Sequence, residues 1–220
     1  MILLIDQAER HRHGALVEEV YRFRHQFFVD HLGWSALRKP DGREIDQFDE
    51  GPCKHIVGVE EGRVVSYTRL LPTTRPHLLS HVYPETLQGM PSVTGPTIWE
   101  WTRYAIEPAR REGTTGADSA TARLMLGVAA ACLHLGITAL LVQTHPLLLT
   151  RMLELGWHAR PMAMPTQYGG EPIVPIFAGV DEATLTTSRA VLGVHRSVLT
   201  VDDGSASKRI TNIRPQVYHG

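Results

Sequence analysis

Arg24 sits on the apolar row of a predicted helix, with Val20 four residues before it and Phe28 four residues after. Gly33-Trp34 follows the helix, and two acids, Asp46 and Asp49, then bracket Gln47-Phe48. Packing rarely selects a charge on an apolar row, because a buried guanidinium without a partner is costly. Arg24 therefore needs a carboxylate or a phosphate, and Asp46 and Asp49 are acids within reach downstream. Two readings follow from these residues alone. One is a structural salt bridge tying a loop to the helix. The other is a pocket for a small cationic zwitterion that carries an aromatic group.

A second group lies on predicted strands. Arg69 comes late in an apolar strand, and Glu100 and Arg103 lie in the aromatic segment Trp99-Glu100-Trp101-Thr102-Arg103-Tyr104. In a regular strand Glu100 and Arg103 point to opposite faces. They serve one cleft only if the strand bulges, and bulges are common beside active sites. Burial among aromatics raises a carboxyl pKa and nearby arginines lower it, a balance that suits a general base near neutral pH. The bland alternative is that Glu100 only pairs with an arginine.

A third group is the turn Arg110-Arg111-Glu112-Gly113-Thr114-Thr115-Gly116-Ala117 before a long helix. Its glycines and threonines let backbone N–H groups converge on an anion such as a pyrophosphate. The spacing is not a Walker motif, and such turns are often only turns. The twelve histidines show no ligand spacing, so no metal site is expected. No Gly-x-Ser-x-Gly elbow is present, and Cys132 lies in an Ala-rich helix as an inert core residue.

The composition is that of an ordinary globular chain: 220 residues, 43% hydrophobic and 20% charged, enough for one substantial core. A net charge of −1 argues against nucleic acid. No run is long enough for a membrane span, the apolar run Ile2–Ile5 is too short for a signal peptide, and the two cysteines lack disulfide spacing. A cytoplasmic protein is expected.

The elements that must position these groups follow from periodicity. Ile2–Ile5 predicts a strand and residues 10–28 an amphipathic helix. Residues 33–48 form a long irregular segment of the kind used as a lid or binding loop. Residues 55–60 and 64–71 make a hairpin around Glu61-Gly62-Arg63, and short helical turns follow over 75–93. Then come a strand over 97–106, a helix over 117–135, a buried strand over 137–143, a helix over 146–155 between Pro146 and Gly156, and strands over 158–164 and 173–180. Beyond Asp181 the pattern weakens, and residues after about 202 read as a flexible tail. This β-α-β-β-β-α-β-α-β-β order predicts one α+β domain over residues 1–220, a sandwich around a single mixed sheet.

Together these residues resemble the acyl-homoserine-lactone synthases, the autoinducer synthases of bacterial quorum sensing. Arg24, Phe28 and Trp34 match that family's Arg…Phe…Trp signature, and Asp46 and Asp49 its acidic signature. Arg69-Leu70-Leu71-Pro72-Thr73 matches Arg-Leu-x-Pro-Thr, and Glu100 with Arg103 matches Glu-x-x-Arg. The match runs to about Gly156. It implies an N-acetyltransferase-like mixed sheet, splayed between the strands over 97–106 and 137–143 and flanked by helices.

The resemblance implies S-adenosylmethionine and an acyl thioester as substrates, with no tightly bound cofactor. The products would be an N-acyl-homoserine lactone and methylthioadenosine. It gives Glu100 the role of base, directly or through water, with Arg103 beside it. Arg24, Asp46, Asp49 and Arg69 would order the lid over S-adenosylmethionine, walled by Phe28 and Trp34. The segment Lys39-Pro40-Asp41-Gly42-Arg43-Glu44-Ile45-Asp46-Gln47-Phe48-Asp49 and Trp101 resemble the subgroup that takes branched or aryl groups from coenzyme A. Acyl carrier protein is the alternative donor, and an N-acyltransferase of the same fold acting on another amine is the alternative function. Trp101, Leu149 and Met152 are the expected acyl walls, and Arg111, Gly113 and Gly116 the expected phosphopantetheine contacts, although this turn departs from the related acetyltransferase loop in spacing. Replacing Arg24 or Asp46 by Ala is expected to abolish product with moderate loss of stability.

Overall fold

The computed structural model describes residues 1–111 and 119–201. Strand β1 (Ile2–Asp6) leads through a 3-10 turn (Gln7–His13) into helix α1 (Gly14–Arg24). A π turn over His25–His31 and an irregular loop follow. Strands β2 (Lys54–Glu60) and β3 (Arg63–Pro72) form the expected hairpin. Its turn residues Glu61 and Gly62 have φ of 51° and 77°, the positive values of a type I′ turn, and Arg63 belongs to the strand rather than the turn. Helix α2 (Leu78–His81) and strand β4 (Ile98–Ile106) come next, then α3 (Pro108–Arg111), α4 (Ala120–Leu135), β5 (Ala139–Thr144) and α5 (Pro146–Glu154). The chain continues with β6 (His158–Pro161), β7 (Thr166–Tyr168), β8 (Glu171–Gly179), α6 (Glu182–Leu192) and β9 (Leu199–Val201).

The main sheet has the order β6-β8-β5-β4-β3-β2-β1-β9, with β7 paired to β8. Both faces of β1 are buried, which is why its sequence is an unbroken apolar run rather than an alternation. Ile2 and Leu4 face a cluster under α4, whereas Leu3 and Ile5 face α1. At Gly127 of α4 a Cβ would lie 2.6 Å from Ile2, so the glycine permits the helix to press directly onto β1.

Strands β4 and β5 are parallel and pair only from Ile98↔Ala139 to Trp101↔Val142. Beyond Trp101, β4 runs on without β5, so the sheet opens between two central strands as expected. The fold is a mixed sheet flanked by helices.

Three expectations need correction. The predicted helix over 10–28 is three segments, with regular α geometry only over Gly14–Arg24. Helix α4 starts at Ala120, because the Ser119 side chain accepts the Ala122 N–H and caps it there. Helix α6 and strands β7 and β9 were not expected. The buried face of α6 includes Thr184 and Ser188, so its apolar period is masked by polar residues, Thr184 bonded locally to Asp181 and Ser188 donating to the distant Leu155 carbonyl.

Candidate active site

The loop after the π turn brings three carboxylates against three arginines. Arg24, at the end of α1, donates from Nε to Glu44 Oε2 (2.6 Å) and from Nη1 to Asp49 Oδ1 (2.7 Å). Arg69 on β3 donates from Nη1 to Asp46 Oδ1 and Asp49 Oδ1, both at 2.7 Å, and from Nη2 to Asp46 Oδ2 at 2.8 Å. Arg103 on β4 donates from Nε and Nη2 to Glu44, both at 3.1 Å, and from Nη2 to Asp46 Oδ2 at 2.9 Å. Arg24 and Arg69 are fully buried, and Glu44 and Asp49 nearly so. Burial would raise the Asp49 carboxyl, but the charges of Arg69 and Arg24 override it and hold it well below the usual range. Asp46 is lowered as well, its Arg69 hydrogen bonds overriding desolvation.

Glu44 is the member of this network that sequence reasoning missed. It stands next to Arg43, which pairs with Asp41 on the surface, so Arg43-Glu44 reads as solvated charge. The available signal was its position two residues before Asp46, which puts both on one side of an extended segment.

Each arginine also lies over an aromatic face. Arg24 is 5.6 Å from the centroids of Tyr21 and Tyr67, Arg69 is 5.9 Å from Phe48, and Arg103 is 5.5 Å from Phe28. The π turn carries Phe28 to Arg103, and Phe28 stacks on Trp34 at 5.0 Å. Trp34 is 45% exposed, so its ring forms an open wall beside the cluster rather than part of the core. Trp34→Ala should therefore change thermal stability little, within about 0.5–1 kcal/mol. Titration calorimetry with S-adenosylmethionine, the substrate that the resemblance implies, should show weakening of about five- to tenfold if Trp34 walls its site. Unchanged affinity would remove Trp34 from the site.

The bulge anticipated for β4 is present. Tyr67 pairs with Ala105 and Arg69 with Thr102, so β4 carries one residue more than β3 across that step. Arg103 takes the extra turn at φ 58°. This swings its guanidinium off the Trp101 face and into the network. Glu100 lies on the cluster's side but points to α2, not to an arginine. Its carboxylate accepts the backbone N–H groups of Leu78 (2.8 Å) and Leu79 (2.7 Å). Burial pushes its pKa up to about 7 against the pull of those N–H groups and of Arg69 and Arg103.

Trp101 points to the opposite face, away from Glu100, and its indole N–H donates to Thr68. It stacks on Trp157 at 6.0 Å and meets the edge of Tyr104 at 5.6 Å. Met152 belongs to the same large buried cluster as Trp101, and Leu149 packs against that cluster. Trp157 joins them and was not anticipated; its signal was an aromatic directly after the Gly156 helix stop. Arg111 closes α3, while Gly113 and Gly116 lie outside the described residues, as does the expected tail after 202.

A mixed sheet flanked by helices and opened between parallel β4 and β5 is the fold of the N-acyltransferases. A putative N-acetyltransferase from Lactobacillus plantarum shares it at a TM-score of 0.52 and 18% identity, covering 82% of this chain and 99% of that one, which shows the fold alone. The autoinducer synthase family matches residues 6–187, and the chain belongs to that family as an acyl-homoserine-lactone synthase, an acyltransferase. The chain is 36% identical over 167 residues to the isovaleryl-homoserine lactone synthase of Bradyrhizobium diazoefficiens, spanning 75% of this chain and 73% of that protein. A CoA-dependent acyl-homoserine lactone synthase, BjaI, solved with SAM and isopentyl-CoA, superposes with a TM-score of 0.84 at 30% identity, covering 96% of this chain and 98% of that one.

Proposed function

We propose that this synthase acylates the α-amine of S-adenosylmethionine from an acyl-coenzyme A whose acyl group is short and branched or aryl, then closes the lactone. The observation that carries the reading is Glu100, a buried carboxyl at about 7 on β4, where the strand leaves β5. The ion cluster with Phe28 and Trp34 forms the S-adenosylmethionine side. The stacked Trp101 and Trp157, with Met152 and Leu149, form the acyl side. Two large indoles fill depth that a long straight chain would occupy, which favours a compact acyl group. The similarity to the two CoA- and isovaleryl-related synthases supports the donor.

The chemistry needs a proton removed first. Glu100, directly or through a water, takes one proton from the α-ammonium. The neutral nitrogen attacks the thioester carbonyl carbon, and backbone N–H groups of β4 beyond the pairing with β5 stabilise the oxyanion. Collapse breaks the C–S bond; the thiolate leaves and is protonated, and the new amide nitrogen sheds its second proton. The methionyl carboxylate then attacks its own γ-carbon. The Cγ–S⁺ bond breaks with its electron pair on sulfur, releasing neutral methylthioadenosine. Both nucleophile and electrophile sit in one molecule, so closure is intramolecular and fast.

Product mass spectrometry tests this. Purified protein with S-adenosylmethionine and straight, branched and aryl acyl-coenzyme A thioesters should give one acyl-homoserine lactone, branched or aryl by mass, with equimolar methylthioadenosine. Product only from acyl carrier protein thioesters would overturn the donor and leave the enzyme standing. A straight long-chain product would overturn the acyl class.

A further inference from the structure

Beneath the ion cluster lies a buried polar chain that the chemistry above does not use. His55 of β2 and Tyr67 of β3 are both fully buried. His55 Nδ1 is 2.8 Å from the Tyr67 hydroxyl, and His55 Nε2 is 2.8 Å from Gln7 Oε1. The Gln7 side-chain amide donates to the backbone carbonyl of Asp49, and its main-chain N–H donates to the carbonyl of Cys53 at 3.1 Å. Asp49 is the carboxylate that bridges Arg24 and Arg69.

The donor and acceptor chemistry leaves one arrangement. A carbonyl only accepts, so Gln7 must turn its NH₂ to Asp49 and its oxygen to His55. An amide oxygen only accepts, so His55 must carry its proton on Nε2. A neutral imidazole then presents a lone pair at Nδ1, and the Tyr67 hydroxyl must donate to it. Burial, with Arg24 and Arg69 adding to it against the opposing charge of Asp49, lowers His55 to about 3 and keeps it neutral. The hydrogens therefore run one way: Tyr67 to His55, His55 to Gln7, Gln7 to Asp49. At its origin the Tyr67 ring lies under Arg24. At its end the chain fixes the carbonyl of the residue whose side chain binds Arg24.

We infer that Gln7, His55 and Tyr67 are positioning residues that hold Asp49 and Arg24 in register for S-adenosylmethionine. The inference rests on assigning the ion cluster to that substrate. Cys53 and Asp49 also come near His55 within metal-ligand reach. That use is unfavourable here. His55 Nε2 makes its short contact to Gln7, with the Cys53 sulfur farther off at 3.6 Å, the Asp49 carboxylate is held by two arginines, and burial pushes the Cys53 thiol up to about 12.

The test uses the full chain. Tyr67→Phe keeps the ring under Arg24 and removes only the first donor. Gln7→Leu removes the strap. Each should raise KM for S-adenosylmethionine about three- to tenfold, the effect of one lost hydrogen bond, and leave the KM for the acyl donor within about twofold. His55→Gln, which can accept from Tyr67 and donate to Gln7, should be milder than His55→Leu. Nitrogen-15 spectra of wild type should show the Nε2–H tautomer for His55. An Nδ1–H tautomer, equal effects on both substrates, His55→Gln as damaging as His55→Leu, or stoichiometric zinc in the purified protein would each overturn the relay. Calorimetry separates the two levels. If wild type binds no S-adenosylmethionine, the site assignment fails, and the relay as a substrate-positioning device fails with it. If wild type binds and the variants bind equally well, the relay alone fails.

Discussion

Glu100→Gln should lower kcat by about 10²- to 10⁴-fold, the usual contribution of a positioned general base. The substitution is nearly isosteric and keeps an acceptor for one of the two α2 N–H groups that Glu100 binds. Its effect therefore reports mainly on the proton. Wild-type activity should rise with pH and level off above about 7, where the carboxyl is ionised. Stability should run the other way. The folded pKa is raised above the ordinary 4.5, so this group's contribution is fully present below 4.5 and is lost as pH rises through about 7. The shift corresponds to roughly 3 kcal/mol at the alkaline end. Glu100→Gln should flatten that slope in urea titrations at several pH values. Wild-type turnover in the variant would remove Glu100 as the base. Low turnover with an unchanged inflection would reduce it to a residue that anchors α2.

Arg69→Ala should be the most destabilising single change, at about 3–5 kcal/mol. Arg69 is fully buried and gives two hydrogen bonds to Asp46 and one to Asp49. Its loss leaves two carboxylates in the interior without their main partner, a far larger cost than the lost attraction of a surface pair. Against the ~5–15 kcal/mol that holds a typical domain together, this consumes a large fraction. Linkage gives a second signature. Asp46 and Asp49 are depressed in the wild type, so their contribution is present above the ordinary carboxylate range and lost as pH falls through their lowered values. Without Arg69 the depression should shrink, and the gap in stability between variant and wild type should narrow only as pH falls below about 4, toward the lowered wild-type values. A gap that is constant with pH would show that the cost is packing. By the same reasoning Arg24→Ala falls in the destabilising class, contrary to the moderate loss expected from sequence. Asp46, at 15% side-chain exposure, is the gentler probe of the network.

Much of this site is legible in the chain because it is built from residues that folding rarely places together. Arg24 on an apolar row and Arg69 in an apolar strand both announce buried partners. The β4 bulge could be anticipated because Glu100 and Arg103 have the wrong parity to serve one cleft from a regular strand. What stayed hidden depends on contacts across the fold. Glu44 looks solvated until the loop folds back. Trp157 gains meaning only when β4 and the segment after α5 bring two indoles together. Helix α6 is hidden because Thr184 and Ser188 fill buried positions, one bonded to Asp181 and the other to the distant Leu155 carbonyl, which no hydrophobic period records.

The π turn at His25–His31 and the bulge at Arg103 are each a departure of the backbone from its regular repeat, one in a helix and one in a strand. They meet where Phe28 faces Arg103. A regular helix would turn every later side chain by about 100° for each residue of difference, and a regular strand would flip Arg103 to the far side. The two irregularities are therefore paired, and removing one residue from either would separate the aromatic ring from the cation without altering either side chain. Scanning substitutions will not reveal this dependence. Insertions and deletions will, and in any related chain the length of these two segments is a sharper test of a working site than the identity of the residues they present.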